Sequence, residues 1–283
     1  MAIGVFDSGV GGLSIHRALA ERLPRADFIY LADQAHAPYG ALPGERIVEL
    51  TRKGCERLFA AGADLVVLGC NTASAIALRR LQQTWLPDFR SRRGRPANIL
   101  GIIVPTIEAA TGLPWAQAPS DPPDKLEALE ILGVFNTPQT AASRVYEIEI
   151  AKRRGDLAVF TEPCRHLAGL IEAGAKATDV ASVIASHVDA LTTRVGRAPD
   201  RWILGCTHNE LAGNLFAAAL PPGAALIHQP AATADALERY LAAHPEYDPG
   251  SAGERRFLTT GPPGAQTGLV KAFWGGPIRF ETA

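Results

Sequence analysis

Cysteine is scarce in this sequence: Cys55, Cys70, Cys164 and Cys206 are the four among 283 residues, and no two of them form a C-x-x-C pair. That scatter excludes a disulfide framework and a zinc ribbon, so free thiols are expected. Two stand in Cys-x-His pairs, Cys164-Arg-His166 and Cys206-Thr-His208, but the close cysteine–cysteine spacing of zinc sites is missing and no metal is expected. A charge excess is absent too. With 28 Lys and Arg against 29 Asp and Glu, the formal charge is −1, which gives no global field to draw in nucleic acid or an anionic membrane. No basic and apolar leader precedes the first apolar run at residues 2–6, so no secretory signal is read and a cytoplasmic location is expected. Leu211 to Ala234 carries no Asp, Glu, Lys or Arg and is long enough to span a bilayer. Pro221-Pro222-Gly223 breaks it, and Asn214, His228 and Gln229 lie inside it. It reads as a helix, a turn and a buried strand.

What is present is a large apolar fraction, 47% hydrophobic against 20% charged, enough for a sizeable core and two ordinary domains. Short apolar runs at 2–6, 27–32, 64–69, 99–103, 130–135, 157–160, 201–205 and 224–228 alternate with amphipathic segments, which is the α/β pattern. Runs such as Asp64-Leu-Val-Val-Leu-Gly69 are continuously apolar, as in parallel strands covered on both faces. Two segments read as boundaries or insertions. One is Phe89–Pro96, whose Arg90, Arg92, Arg93 and Arg95 lack interleaved aromatics and suggest a solvated linker; the other is the proline-rich Pro114–Lys125.

The chain also echoes itself. Gly4-Val-Phe-Asp-Ser8 returns as Gly133-Val-Phe-Asn-Thr137, and Leu68-Gly-Cys-Asn-Thr72 returns as Leu204-Gly-Cys-Thr-His208, in the same order and at nearly the same offset. Two similar α/β halves follow. The expected division is residues 1–97 with 209–283 for the first and 98–208 for the second. Ligands of open α/β sheets bind outside the carboxyl ends of strands, so the four segments are expected to point into one cleft with a thiol on each wall.

A cysteine between a strand end and a helix start is favoured as thiolate. The helix end supplies only ~0.3–1 kcal/mol, so it does little by itself to ionise a thiol of ordinary pKa about 8.5. Asp7 and His208 are the candidates for managing the proton. Two sulfurs able to act as base and acid on opposite sides of one carbon suit proton removal from one face and return to the other, which is racemisation. Cys55 and Cys164 read as packed core thiols. The opening turn Asp7-Ser-Gly-Val-Gly-Gly-Leu-Ser14 offers bare backbone N–H groups to an anion such as a carboxylate. A dinucleotide loop with Asp33 as ribose acid is the competing reading, but Ser14 stands where its third glycine belongs. The loop Ala32–Gly40 could present backbone donors and the Tyr39 phenol to a ligand.

Phe6-Asp-Ser-Gly-Val-Gly-Gly12, Ala32-Asp33 with Pro38-Tyr-Gly40, Cys70-Asn-Thr-Ala-Ser74 and Gly205-Cys-Thr-His208 resemble the signature blocks of the glutamate racemases of the aspartate/glutamate racemase superfamily, and Phe257-Leu-Thr-Thr-Gly261 resembles a block near that family's end. The resemblance runs from about residue 3 to about residue 270 and implies two flavodoxin-like α/β domains with mainly parallel sheets and no cofactor. It implies Cys70 and Cys206 as the acid/base pair, Asp7 and His208 as their helpers, and Ser8, Tyr39, Gly40, Asn71, Thr72, Thr137, Thr140 and Thr207 as the residues that hold the amino acid. The family's usual role is D-glutamate supply for peptidoglycan, hence cell-wall biogenesis and cell shape. The implied partner is a small amino-acid substrate, with no nucleic acid or membrane; a homodimer is allowed. The chain departs from the family's pattern at Asn209-Glu210, where an aromatic and a proline are usual, at His228 in place of Asp, and at Pro105-Thr106 in place of Pro-Gly. These departures leave open aspartate or another carboxylate as substrate. A non-catalytic amino-acid-binding protein would use the same cleft without needing the thiols.

Overall fold

The apolar runs become strands in a computed structural model that describes residues 1–113, 129–265 and 267–283. The segment Pro114–Lys125 lies outside the described residues. In chain order the strands are β1 (Ala2–Asp7), β2 (Phe28–Ala32), β3 (Ala63–Leu68), β4 (Asn98–Gly101), β5 (Glu130–Asn136), β6 (Leu157–Pro163), β7 (Arg201–Gly205), β8 (Ala225–Ile227), β9 (Arg255–Thr259) and β10 (Glu281–Thr282). One sheet has the order β10-β9-β2-β1-β3-β4 and the other β6-β5-β7-β8. Every pairing described is parallel.

Both sheets repeat one arrangement. The first strand of each is flanked by its second on one side and its third on the other, with the fourth beyond, the flavodoxin-type order. The sequence echoes occupy equivalent places: Gly4-Val-Phe-Asp on β1 and Gly133-Val-Phe-Asn on β5, Cys70 after β3 and Cys206 after β7. The continuous apolar runs are explained by burial on both faces. On β3, Leu65 and Val67 pack with Ile3, Val5, Phe28 and Tyr30, whereas Val66 and Leu68 pack with Phe6, Ile29 and Leu31. Gly54, on the helix Gly44–Ala60, lets Phe6 approach, since an added Cβ would lie 2.1 Å from the ring.

The chain divides into one unit of residues 1–102 with 230–283 and another of 103–229. The return to the first unit therefore comes at Pro230 and not at the expected residue 209. The reason is pairing and packing: β8 adds to β7, and Phe216 of the helix Gly213–Ala219 joins Phe135 and Trp202 in the second core. Likewise β4 pairs with β3, which keeps residues 98–102 in the first unit.

The arginine-rich segment is a correction of another kind. Residues Leu86–Arg93 form a helix, and Arg93 lies 2.8 Å from Asp64, with its second amino group donating to Ala63 O at 2.6 Å. Arg95 pairs with the same carboxylate, and Arg93 also lies over the Phe59 ring. Arg93 and Arg95 fasten the start of β3, and Arg90 bonds to Ala97 and Asn98, so the segment is no solvated linker.

His16, on the helix Leu13–Arg22, is fully buried among Phe28, Tyr30, Phe257 and Trp274, with its ring stacked on Tyr30. Among the described residues neither ring nitrogen has a hydrogen-bond partner. Burial, helped by Arg255, lowers its pKa to about 3. No helix of the described residues is long and apolar enough to cross a membrane; the Leu211–Ala234 stretch is instead a 3₁₀ turn, a helix, β8 and the start of a further helix.

Candidate active site

In this strand order the switch point lies between the first and third strands, and the chemistry-bearing residues of each unit sit there. In the first unit, Asp7 ends β1 and is 2% exposed. Its Oδ2 accepts the Gly9 N–H at 3.0 Å. Gly12 is needed for space, because an added Cβ would lie 2.6 Å from the Asp7 Cβ. Ser8 Oγ lies 3.4 Å from Cys70 Sγ. Cys70 caps the helix Asn71–Ile76, its sulfur accepting the Ala73 N–H at 3.5 Å, and Asn71 and Thr72 are buried in the first turn.

The helix does not make Cys70 a resting thiolate. Burial, with the Asp7 charge beside it, pushes its pKa up to about 12, against the opposing pull of the bonds to Ser8 and Ala73. Desolvation and a like charge outweigh the helix end, so Cys70 rests as a thiol.

Asp33, weighed from sequence as a ribose ligand, is the hub of the neighbouring loop. Its N–H donates to Asp7 O at 2.9 Å. Its carboxylate accepts from the Tyr39 hydroxyl at 2.6 Å and Thr260 at 2.7 Å, and lies 3.0 Å from His36 Nδ1. Tyr39 is thereby fixed in the turn Tyr39–Ala41, which also contains Gly40. Thr260, just past β9, accounts for the last recognisable sequence block.

In the second unit, Cys206 follows β7 and opens the 3₁₀ turn Thr207–Ala212. His208 Nε2 lies 2.7 Å from Glu172, a residue the sequence reading did not single out. Burial works against a charged His208 ring, but hydrogen bonds to Cys206 and Glu172 prevail and raise its pKa to about 10. His208 is therefore a cation at neutral pH, hydrogen-bonded to Cys206. Thr207 is buried; Thr137 caps the helix Pro138–Ser143 by accepting the Thr140 N–H, and the two threonine hydroxyls lie 3.0 Å apart. Glu210 does not present a bare charge, because it lies 2.8 Å from His228 and accepts the Gln229 N–H at 2.9 Å.

The structure thus brings Asp7, Ser8 and Cys70 together in one unit, and Cys206 with His208 in the other. Among the described residues no group of three or more histidine, cysteine or carboxylate side chains is gathered as a metal site.

No protein-family model matches the chain. It is 70% identical over 283 residues to the glutamate racemase of Caulobacter sp. (strain K31), covering 100% of both chains. The chain belongs to the glutamate racemase family. A second glutamate racemase, from Phenylobacterium zucineum (strain HLK1), is 68% identical, again over 100% of both chains. The crystal structure of a glutamate racemase isoform from Bacillus anthracis superposes with a TM-score of 0.81 at 26% identity, covering 100% of this chain and 97% of that one. The protein is accordingly an amino-acid racemase with the α/β architecture of solved glutamate racemases.

Proposed function

We propose that this enzyme interconverts L- and D-glutamate with Cys70 and Cys206 as its two acid/base groups, and that it supplies D-glutamate for peptidoglycan in the cytoplasm. The observation that carries this reading is the equivalence of the two cysteines: each follows the third strand of its sheet, at the switch point, beside residues able to manage a proton.

The two surroundings differ. Cys70 is a neutral thiol at rest, held so by burial and Asp7. Cys206 has a cationic His208 hydrogen-bonded to it. In the L-to-D direction Cys206 is the base and Cys70 the acid. Cys206 takes the α-proton, the α-carbon flattens to a carbanion, and Cys70 gives its proton to the other face. Afterwards the charges are exchanged, and Asp7 and His208 help to reset them. Ser8, Tyr39, Gly40, Asn71, Thr72, Thr137, Thr140 and Thr207 hold the substrate's carboxylates and ammonium. The resemblance assigns the L-enantiomer to Cys206 and the D-enantiomer to Cys70. Glu210 is engaged by His228 and the Gln229 N–H, so it does not present a bare carboxylate to a substrate with two carboxylates.

The test uses β-chloroalanine, which needs only one proton removed before chloride leaves. Cys70→Ser is expected to retain elimination from the L-enantiomer and Cys206→Ser from the D-enantiomer, while neither racemises glutamate. Racemisation surviving in either variant, or faster turnover of aspartate than glutamate by the wild type, would overturn the reading.

A further inference from the structure

Three places where the sequence departs from the family's usual blocks, Thr106, Asn209-Glu210 and His228, fall into one hydrogen-bonded network. The Glu210 carboxylate has one oxygen 2.8 Å from His228 Nδ1 and accepts the Gln229 N–H on the other at 2.9 Å. Gln229 is fully buried, and its side-chain amide donates to Thr106 Oγ1 at 2.9 Å and to the Tyr146 hydroxyl at 3.3 Å. Tyr146 is itself fully buried and lies within electrostatic reach of both Cys206 and Glu210. From the other side, the Asn209 N–H donates to Cys206 O at 3.0 Å and its side-chain amide to Phe135 O at 3.3 Å. The Glu210 side chain is only 9% exposed and that of His228 49%. Gly213 leaves room for the imidazole, since a Cβ there would stand 3.3 Å from His228 Cε1.

We propose that Glu210 and His228 are positioning residues that hold the turn Thr207–Ala212, and through it the Cys206 sulfur and its His208 partner, in register with the reacting carbon. The proposal rests on the reading of Cys206 as an acid/base group. The turn is a 3₁₀ segment with no side-chain cap at Cys206, so its own backbone bonds fix it weakly. Asn209 anchors its start to β5, and Glu210 anchors its middle to the Gln229 N–H and the His228 ring. Neither residue touches the substrate in this account; both act through Cys206.

The experiment follows pyruvate release from L- and D-β-chloroalanine. Glu210→Ala and His228→Ala are each expected to slow elimination from the L-enantiomer by up to about 10²-fold, the cost of misplacing a reacting group by ~1 Å, chiefly in kcat, and to spare the D-enantiomer. Glu210→Gln keeps an acceptor for Gln229 N–H and a donor for a neutral His228, so it is expected to restore most of the lost rate. If Glu210→Ala does not fold, Gly213→Ala, which crowds the imidazole from outside the network, is expected to give a smaller loss with the same enantiomer preference. Equal losses from both enantiomers, or no loss from either, in variants with wild-type circular dichroism overturn the proposal. Cys206→Ser runs alongside: if it lacks the selective loss from the L-enantiomer, the two-cysteine reading itself fails and the proposal with it.

Discussion

His208 and Glu172 face each other across 2.7 Å, although they lie on different elements and far apart in sequence. With the hydrogen bond to Cys206, this pairing overcomes burial and keeps the imidazole charged up to about pH 10. Loss of the charge on Glu172 removes one of the two supports, so the pKa of His208 falls. In Glu172→Gln the alkaline decline of racemisation is expected to begin at lower pH than in the wild type. His208→Asn, which removes the cation outright, should cost roughly 10²–10⁴ in kcat. Both are read from the rate of change of optical activity with glutamate between pH 7 and 10; coincident alkaline limbs for wild type and Glu172→Gln would mean that the carboxylate does not support the charge.

The two reactive thiols are expected to differ in the free enzyme. Cys70 and Cys206 are almost equally buried, at 6% and 7% exposure, so access does not distinguish them. Their electrostatic surroundings do: burial and the Asp7 charge hold Cys70 as a thiol, whereas the cationic His208 is hydrogen-bonded to Cys206, and the thiolate is the nucleophile. Iodoacetamide at neutral pH should label Cys206 before Cys70, as read by peptide mass spectrometry over time. Labelling in the reverse order would mean that Asp7 and His208 do not set the two thiols apart.

Asp7 is held in place by what is absent at position 12. Gly12→Ala would force a Cβ to 2.6 Å from that of Asp7, where neither atom can swing away. Activity should fall toward that of Asp7→Asn, roughly 10²-fold or more below wild type. At Gly9 an added Cβ would meet Asp7 Oδ2 only at 4.0 Å, ordinary contact. Gly9→Ala should therefore leave the melting temperature near wild type while Gly12→Ala lowers it; equal melting temperatures would show that the Asp7 region yields without strain.

Acid should destabilise the first unit through His16. Its pKa is lowered from an ordinary 6.5 to about 3 in the fold, so between those values the unfolded chain binds a proton that the folded one refuses. Stability is thus lost as pH falls below about 6.5 and levels off near pH 3, with a slope of up to ~1.4 kcal/mol per pH unit. From pH 7 to pH 5 this group alone contributes ~2 kcal/mol of loss. Urea titrations at the two values should show a smaller loss for His16→Leu than for wild type, since other titrating groups act on both. An identical loss would assign the acid sensitivity elsewhere.

Much of this architecture was legible in the sequence because parallel strands buried on both faces leave continuous apolar runs, and β1 to β8 all appear as such. The echo of Gly-Val-Phe and Leu-Gly-Cys blocks placed the cysteines on equivalent strands because identical backbone roles demanded similar residues. β9 carries little strand signal, since Arg255 and Arg256 open it and only Phe257 and Leu258 of its buried half are apolar. The second unit runs past residue 209 to Gln229 because β8 pairs with β7, and the motif Gly-Cys-Thr-His carries no local sign of that later pairing. Glu172 lay beyond reach for a different reason. An acidic residue at the end of a short amphipathic helix carries no local sign that the fold will set it against His208.

The place of β9 beside β2 also fixes an order of events during synthesis. Phe28–Ala32 gains β1 at once, but its other edge is covered only by residues 255–259, which leave the ribosome after the whole of the second unit. Throughout that interval the nascent chain exposes an unpaired strand with buried-type side chains, the feature that folded proteins take care to hide. A message broken before Arg255 would release a chain whose second unit is complete but whose first sheet ends in an open edge, and such chains should associate strand to strand even though every reactive residue in them is present.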